Sequence, residues 1–499
     1  MTRRGLSRLL GSICAAALSL GALASCDEIV GVDWSAYEEK QVTLAPPCDG
    51  SCVTTGRTFD GEGDVDLRGF VAASDGGLLL WGGAAGASAG LGLEGAGEFV
   101  AKTCAAGELR WSITYPASAG VLLHAVVSDA AGGAWIAGRF SGTLAFGAPP
   151  SEPATADGMA GFLEHVGSDG TPDRRAFLPA PALALAFDPK ATSAPLAAVI
   201  GSKANQALFA SGPCGGSAEN VPTGLHVLRL DAAGACLVRE ACSAVATEAD
   251  DTPVALQFDS SGRLVFVAPF DATNGDLHTC SEKDRKAAGA GTHGMVVARA
   301  SGADSKFETG FGVARIPNYS PAGPLFLAID PASGQHWVSG TTKETFKFSG
   351  VDVPANGRAS MFLLQFVDAG NPQEAVYVNG SGTTGSSRAG SIAFGPSGHL
   401  SFVSSISGSV AWQTGTLNAD SEDRIVVTDV EVGAPLKFSV RMDTRSSRAP
   451  LPFVASPPGC SPVLGTSFAG GIGAASGDLM ASGRDVAIVP GVDTLLFPL

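Results

Sequence analysis

Charge is scarce in this chain: only 16% of its 499 residues are Asp, Glu, Lys or Arg. Long amphipathic helices need many such residues on their wet face, so the composition argues against them. Basic charge is scarcer still, with 32 Lys and Arg against 48 Asp and Glu, a net charge of −16. A surface that acidic repels phosphate backbones and anionic headgroups, so nucleic acid is not an expected partner. No Cys-x2-Cys pair occurs and no histidine clusters with a cysteine, so neither a metal centre nor another cofactor is expected. What the chain has in quantity is 66 glycines, 30 prolines and 45% apolar residues. That mixture fits many short strands joined by tight turns around a sizeable core.

The N-terminus reads as an export signal. Arg3, Arg4 and Arg8 precede the apolar run "LLGSICAAALSLGALA", too short and small-residued for a good membrane span. The run ends in Leu23-Ala24-Ser25-Cys26, which resembles the lipobox of bacterial lipoproteins. The resemblance implies removal of residues 1–25 and diacylation of Cys26, usually followed by acylation of its amino group. The alternative is an ordinary secretory signal with Cys26 in a disulfide. Two or three acyl chains anchor stably where one does not. Asp27 resembles a signal for inner-membrane retention in enteric bacteria, but sorting rules differ among bacteria and the choice of membrane stays open. The expected location is the cell envelope of a Gram-negative bacterium, on the periplasmic face or the cell surface. Cleavage removes three arginines and no acid, taking the charge from −16 to −19. The stretch 26–47 has no repeat character and reads as a tether, leaving 48–499 as the folded domain.

That domain repeats itself. "GFVAASDGGLLLWGGA" from Gly69 is paraphrased from His124, Leu183, Val254, Leu325, Ser391 and Ser467, roughly 55 to 80 residues apart. Each copy is a short apolar strand, a turn rich in Asp, Ser, Pro or Gly, and a second apolar strand. Six copies are followed by a second motif, a buried-looking strand, a Gly turn and a more polar strand, as in "EFVAKTCAAGELRWSITY". Four strands per unit, seven times, predict an all-β seven-bladed β-propeller of four-stranded blades. The seventh copy lacks its outer strand, and Ser51 to Gly61 is predicted to supply it beside the C-terminal strands. The segments "FSGTLAFG" (Phe140 to Gly147) and "FVAKTCAAGELRW" (Phe99 to Trp111) carry a resemblance to bacterial seven-bladed β-propeller repeat lipoproteins. That resemblance implies the fold far more than any activity.

Candidate chemistry is thin. "GASAG", Gly86 to Gly90, matches a nucleophile elbow at Ser88 but has no helix after it. Asp75, Asp129, Asp188, Asp259 and Asp330 read as equivalent turn residues rather than a carboxylate ring. "DGEGDVD", with Asp60, Glu62, Asp64 and Asp66, resembles a calcium loop but lacks its sixth-position Gly and twelfth-position Glu. His124, His165, His226, His278, His293, His336 and His399 are scattered, and Trp81, Trp135 and Trp337 read as packing between blades rather than a sugar platform. Eight cysteines follow Cys26, namely Cys48, Cys52, Cys104, Cys214, Cys236, Cys242, Cys280 and Cys460. Among them only Cys48 with Cys52 and Cys236 with Cys242 suggest local disulfides. The expectation is a monomeric, non-enzymatic module with no catalytic residues, bound to the membrane through its lipid, with a protein or glycan partner. The alternative is a propeller enzyme or carbohydrate-binding protein acting on envelope or extracellular polysaccharide.

Overall fold

A computed structural model describes most of residues 57–499. Residues 1–56 lie outside the described residues, as do shorter stretches, the longest being 145–153, 203–223, 244–252, 272–292, 301–312 and 468–477. Cys26, the tether 26–47, the Cys48–Cys52 pair, and Glu62 and Asp64 of the acidic loop therefore fall outside them.

The fold is all-β, with no α-helix among the described residues. The strands form six antiparallel sheets of four strands and one of six, plus three two-stranded ribbons. In the first sheet the order is Val65–Ala72, Leu78–Ala84, Gly97–Thr103, Leu109–Pro116, each strand paired with the next. The second begins at Leu122–Ser128, the third at Ala182–Phe187, the fourth at Ala255–Phe258 and the fifth at Phe326–Ile329. The six-stranded sixth sheet begins at Ser386–Phe394. The remaining sheet runs Phe453–Ala455, Val463–Ser467, Val492–Pro498 and then Arg57–Asp60, with Arg57 opposite Leu496.

Two sequence expectations need correction. The repeat copy placed at Ser467 is shifted: its hairpin is Phe453–Ala455 with Val463–Ser467. The expected second strand, at Asp478–Ala481, instead pairs with Lys437–Ser446 and, with Arg484–Ala487, widens the sixth sheet. Cys236 and Cys242 cannot pair with each other, because both lie on one strand, Cys236–Ser243. Six residues of strand separate their Cα atoms by roughly 20 Å, far beyond disulfide reach. Cys104, Cys236 and Cys460 are each disulfide-bonded.

The middle strands are buried on both faces, which explains their unbroken apolar runs. Leu78, Leu79 and Leu80 are all fully buried. Leu80 packs toward Phe453 and Val463, whereas Leu79 packs toward Val126, Ile136 and Phe162 of the second sheet. Similar clusters join the second sheet to the third, the third to the fourth, the fourth to the fifth and the fifth to the sixth. Trp81, Trp135 and Trp337 sit in these layers on second strands, as expected. Trp81 fixes a sequence detail: a Cβ at Gly69 would lie 1.8 Å from its indole. Buried charge also ties sheets together. Lys102, 2% exposed, donates from Nζ to Asp75 Oδ2 in its own sheet and to the Gly132 carbonyl in the next. Tyr115 Oη donates to Glu164 Oε2 at 2.5 Å across the same boundary, and Arg175 Nε donates to Glu164 Oε1 at 3.1 Å.

Trp337 is fully buried, and its indole Nε1 has no hydrogen-bond partner among the described residues. Trp337→Ala is expected to cost about 3–5 kcal/mol in denaturant unfolding. Trp337→Phe, which forfeits no hydrogen bond, should cost clearly less.

Candidate functional site

In the second to fifth sheets the turn that follows the innermost strand is built by backbone and carboxylate together. The backbone N–H of Asp129 bonds Gly133 O, as that of Asp259 bonds Arg263 O. Asp129 Oδ1 then accepts from the N–H groups of Ala131 and Gly133, and Asp259 Oδ1 from those of Ser261 and Arg263. Asp188 and Asp330 do the same toward Lys190 and Ala332. These are Asx turns, the structural role expected for them. Asp75 is not their equivalent: Ala73 holds that place, through its N–H to Gly77 O. Asp75 stands two residues later, and its Oδ1 accepts from the Gly77 N–H. The ribbon "GASAG" is no elbow, since Ser88 is fully buried and its backbone pairs with Leu93 across a narrow loop.

Asp129 also joins a cluster that sequence order conceals. His165 Nε2 lies 2.8 Å from Asp129 Oδ2, its Nδ1 lies 2.5 Å from Asp173 Oδ1, and its ring packs on Trp135 with centroids 4.9 Å apart. Burial favours the neutral imidazole, but the two carboxylates outweigh it and hold the pKa above its ordinary 6.5. Burial likewise opposes the Asp129 charge, yet the bonds from His165, Gly133 and Ala131 bring its pKa below the ordinary 3.8.

The innermost strands of all seven larger sheets wall a cavity of about 1200 Å³. Among the described residues lining it there is one charged side chain, Arg68, one histidine, His124, and no carboxylate. The turn aspartates stand outside it. Arg68 and His124 reach the cavity through a repeated backbone irregularity. The first strand slips register between Leu67 and Gly69, and the second between Leu123 and Ala125. A bulge leaves one residue unpaired and re-aims it, and such bulges concentrate beside functional sites. Both bulged residues lie five positions before the turn N–H at Ala73 or Asp129, so they are counterparts on neighbouring strands. The third sheet repeats the slip at Leu183 and the sixth at Gly390 and Ser391.

Arg68 is oriented from behind. Its Nη1 donates to both oxygens of Glu98, at 2.7 and 2.8 Å, and its Nε to Asp66 Oδ2 at 3.2 Å. Glu98 Oε2 also accepts from the Leu123 N–H at 3.3 Å. Burial pushes the Glu98 pKa up, and it prevails over Arg68 and the Leu123 bond. The end of the cavity thus offers a fixed guanidinium and an imidazole, with a carboxyl that protonates more readily than usual held behind the guanidinium. Such a set can hold an oxygen-rich ligand and move a proton. Sequence reading passed over Arg68 and Glu98. Aligning the repeats on the turn would have exposed Arg68 beside His124.

No family model and no curated protein matches this chain. Solved structures match over most of its length. A complex of the NanB sialidase from Streptococcus pneumoniae is 11% identical with a TM-score of 0.38, covering 92% of this chain and 72% of that one. The intramolecular trans-sialidase from Ruminococcus gnavus is 9% identical with a TM-score of 0.35, covering 91% and 98%. An ulvan lyase, of a new family of polysaccharide lyase, is 7% identical with a TM-score of 0.30, covering 89% and 96%. The expectation of a non-enzymatic module is corrected on this finding, since these neighbours are enzymes by name. The physical reason is that the expectation rested on missing local motifs. A site can instead be assembled from separate sheets, as Arg68, Glu98 and His124 are. Likenesses this distant carry no residue role and no substrate to this chain.

The His165 cluster gives a pH signature. Its raised pKa means that its contribution is complete below pH 6.5 and is lost as pH rises through the folded value. The lowered Asp129 pKa means that its contribution is complete above pH 3.8 and is lost as pH falls through its own folded value. Their joint stabilisation is therefore greatest between about pH 4 and 6.5. His165→Gln should remove the alkaline-side fall from a melting-temperature profile; an unchanged slope there would contradict the assignment.

Proposed function

We propose that this chain is a polysaccharide-acting β-propeller held in the bacterial envelope by a lipid anchor. The observation that carries the reading is the pair of bulges that turns Arg68 and His124 into a shared cavity, with Glu98 behind them. A sugar chain is dense in hydroxyls, and a concave site with a few convergent polar groups on apolar walls suits it. The long connections between second and third strands support the same end of the molecule. In an antiparallel meander they leave from the end opposite the Asx turns, and three carry ribbons, at 143–155, 346–353 and 409–418. Insertions on one face are where a rigid scaffold usually carries function.

In this reading the seven larger sheets are the blades of a ring. The pairing of Arg57–Asp60 with Val492–Pro498 closes it, and the contact of Phe453 and Val463 with the first sheet supports that closure. The chain belongs in this proposal with the β-propeller repeat lipoproteins, monomeric, with Cys26 acylated and residues 26–47 as the spacer.

Two experiments test it. Full-length protein should bind or depolymerise at least one member of a panel of neutral and acidic polysaccharides, followed by affinity electrophoresis and by new chain ends. Arg68→Ala and His124→Ala should each weaken that effect about tenfold or more in a protein that still folds, Arg68→Ala with a lowered melting temperature because it strands Glu98. A wild type inert toward the whole panel would overturn the reading. For the anchor, labelled palmitate should enter the wild type, and Cys26→Ser should lose both label and membrane fractionation.

A further inference from the structure

The far end of the same cavity differs from the Arg68 end. The residue that closes each innermost strand, just before its turn, also lines the cavity. Around the seven sheets these are Ala72, Ser128, Phe187, Phe258, Ile329, Phe394 and Ala455. Four consecutive sheets thus present large apolar side chains, three of them partly buried phenylalanines that also pack on the layers between sheets. The other three present small ones, leaving room opposite the rings. One ring is braced, since the Arg229 guanidinium lies 4.5 Å from the centroid of Phe258. Beside it, Gln257 lines the cavity, and its buried Oε1 has no hydrogen-bond partner among the described residues. A buried acceptor without a donor costs about 1–3 kcal/mol. It is explained if, on binding, the amide turns that oxygen out to a ligand that brings the donor.

Charge narrows the ligand further. Among the described residues no carboxylate lines the cavity, and the one guanidinium there is already shared between Glu98 and Asp66. The chain carries −16 overall, so a polyanion gains nothing here and is repelled on approach. Uncharged sugar fits both halves of the description. Its C–H face packs on aromatic rings and its hydroxyls donate.

We propose that Phe187, Phe258 and Phe394 with Gln257 form a stacking subsite for an uncharged sugar residue, Gln257 Oε1 accepting one of its hydroxyls. The subsite rests on the polysaccharide reading and names the class of chain, neutral rather than uronic, sialic or sulfated.

The test uses full-length protein with dextran, galactomannan and arabinan as neutral probes, and polygalacturonate, polysialic acid and hyaluronan as acidic ones. Binding is expected to the neutral set, with little dependence on salt. Gln257→Leu preserves bulk and removes the acceptor. It should weaken binding about fivefold, the worth of one hydrogen bond, while the melting temperature holds or rises. Phe187→Leu should weaken binding without abolishing it. Binding confined to the acidic set, lost with added salt and indifferent to Gln257→Leu, would overturn the subsite while leaving the polysaccharide reading intact. Binding to neither set overturns both. Neutral binding untouched by both substitutions overturns the subsite alone.

Discussion

A four-stranded sheet with apolar residues on both faces cannot satisfy itself, and everything else in this protein follows from that. Leu79 and Leu80 are neighbours on one strand, yet they belong to different hydrophobic layers. Sheets one to five each supply half of two layers, so each of these needs a sheet on either side. Strand edges rather than faces are then left to border the central cavity. Positions along the innermost strands become surface only at the cavity, where a bulge or a strand end exposes them. The scaffold thereby fixes where chemistry can be placed before any functional residue is chosen.

The same constraint accounts for the buried charges. Lys102, Glu164 and His165 lie at sheet boundaries, where water is excluded and a lone charge would be costly. Each is met by a partner from another strand, Lys102 by Asp75 and the Gly132 carbonyl, Glu164 by Tyr115 and Arg175, His165 by Asp129 and Asp173. These pairs orient adjacent sheets more than they add net stability. They also show why perturbed titration alone does not locate a site here. Glu164 and Glu98 are both shifted upward, but only Glu98 stands behind a side chain that reaches the cavity.

Much of the fold was legible because hairpin chemistry is local. Asp129 and Asp259 announce their turns by residue type, and Trp135 and Trp337 mark second strands buried between sheets. What depended on distance was not legible. Asp75 looks like Asp129 in a list of turns, but backbone pairing sets it two residues out of step. The segment 478–487 resembles a repeat hairpin, yet it is drafted to widen the neighbouring sheet. Cys236 and Cys242 look like a local bridge until a strand is drawn through both. The bulges at Arg68 and His124 have no residue signature at all. They are visible only as a slip between partners, and the candidate site hangs on them.

The sheet that holds Arg57–Asp60 carries a consequence for the timing of folding. This strand is synthesised among the earliest of the folded part, but its hydrogen-bonding partner, Val492–Pro498, is made only after every other sheet. Sheets one to six can each form from neighbouring sequence as they emerge, while the remaining one must wait for both ends. A nascent chain therefore carries an unpaired strand at its front throughout elongation, and non-local pairing of this kind is slow. The pairing that unites the two ends is therefore the last that the order of synthesis allows.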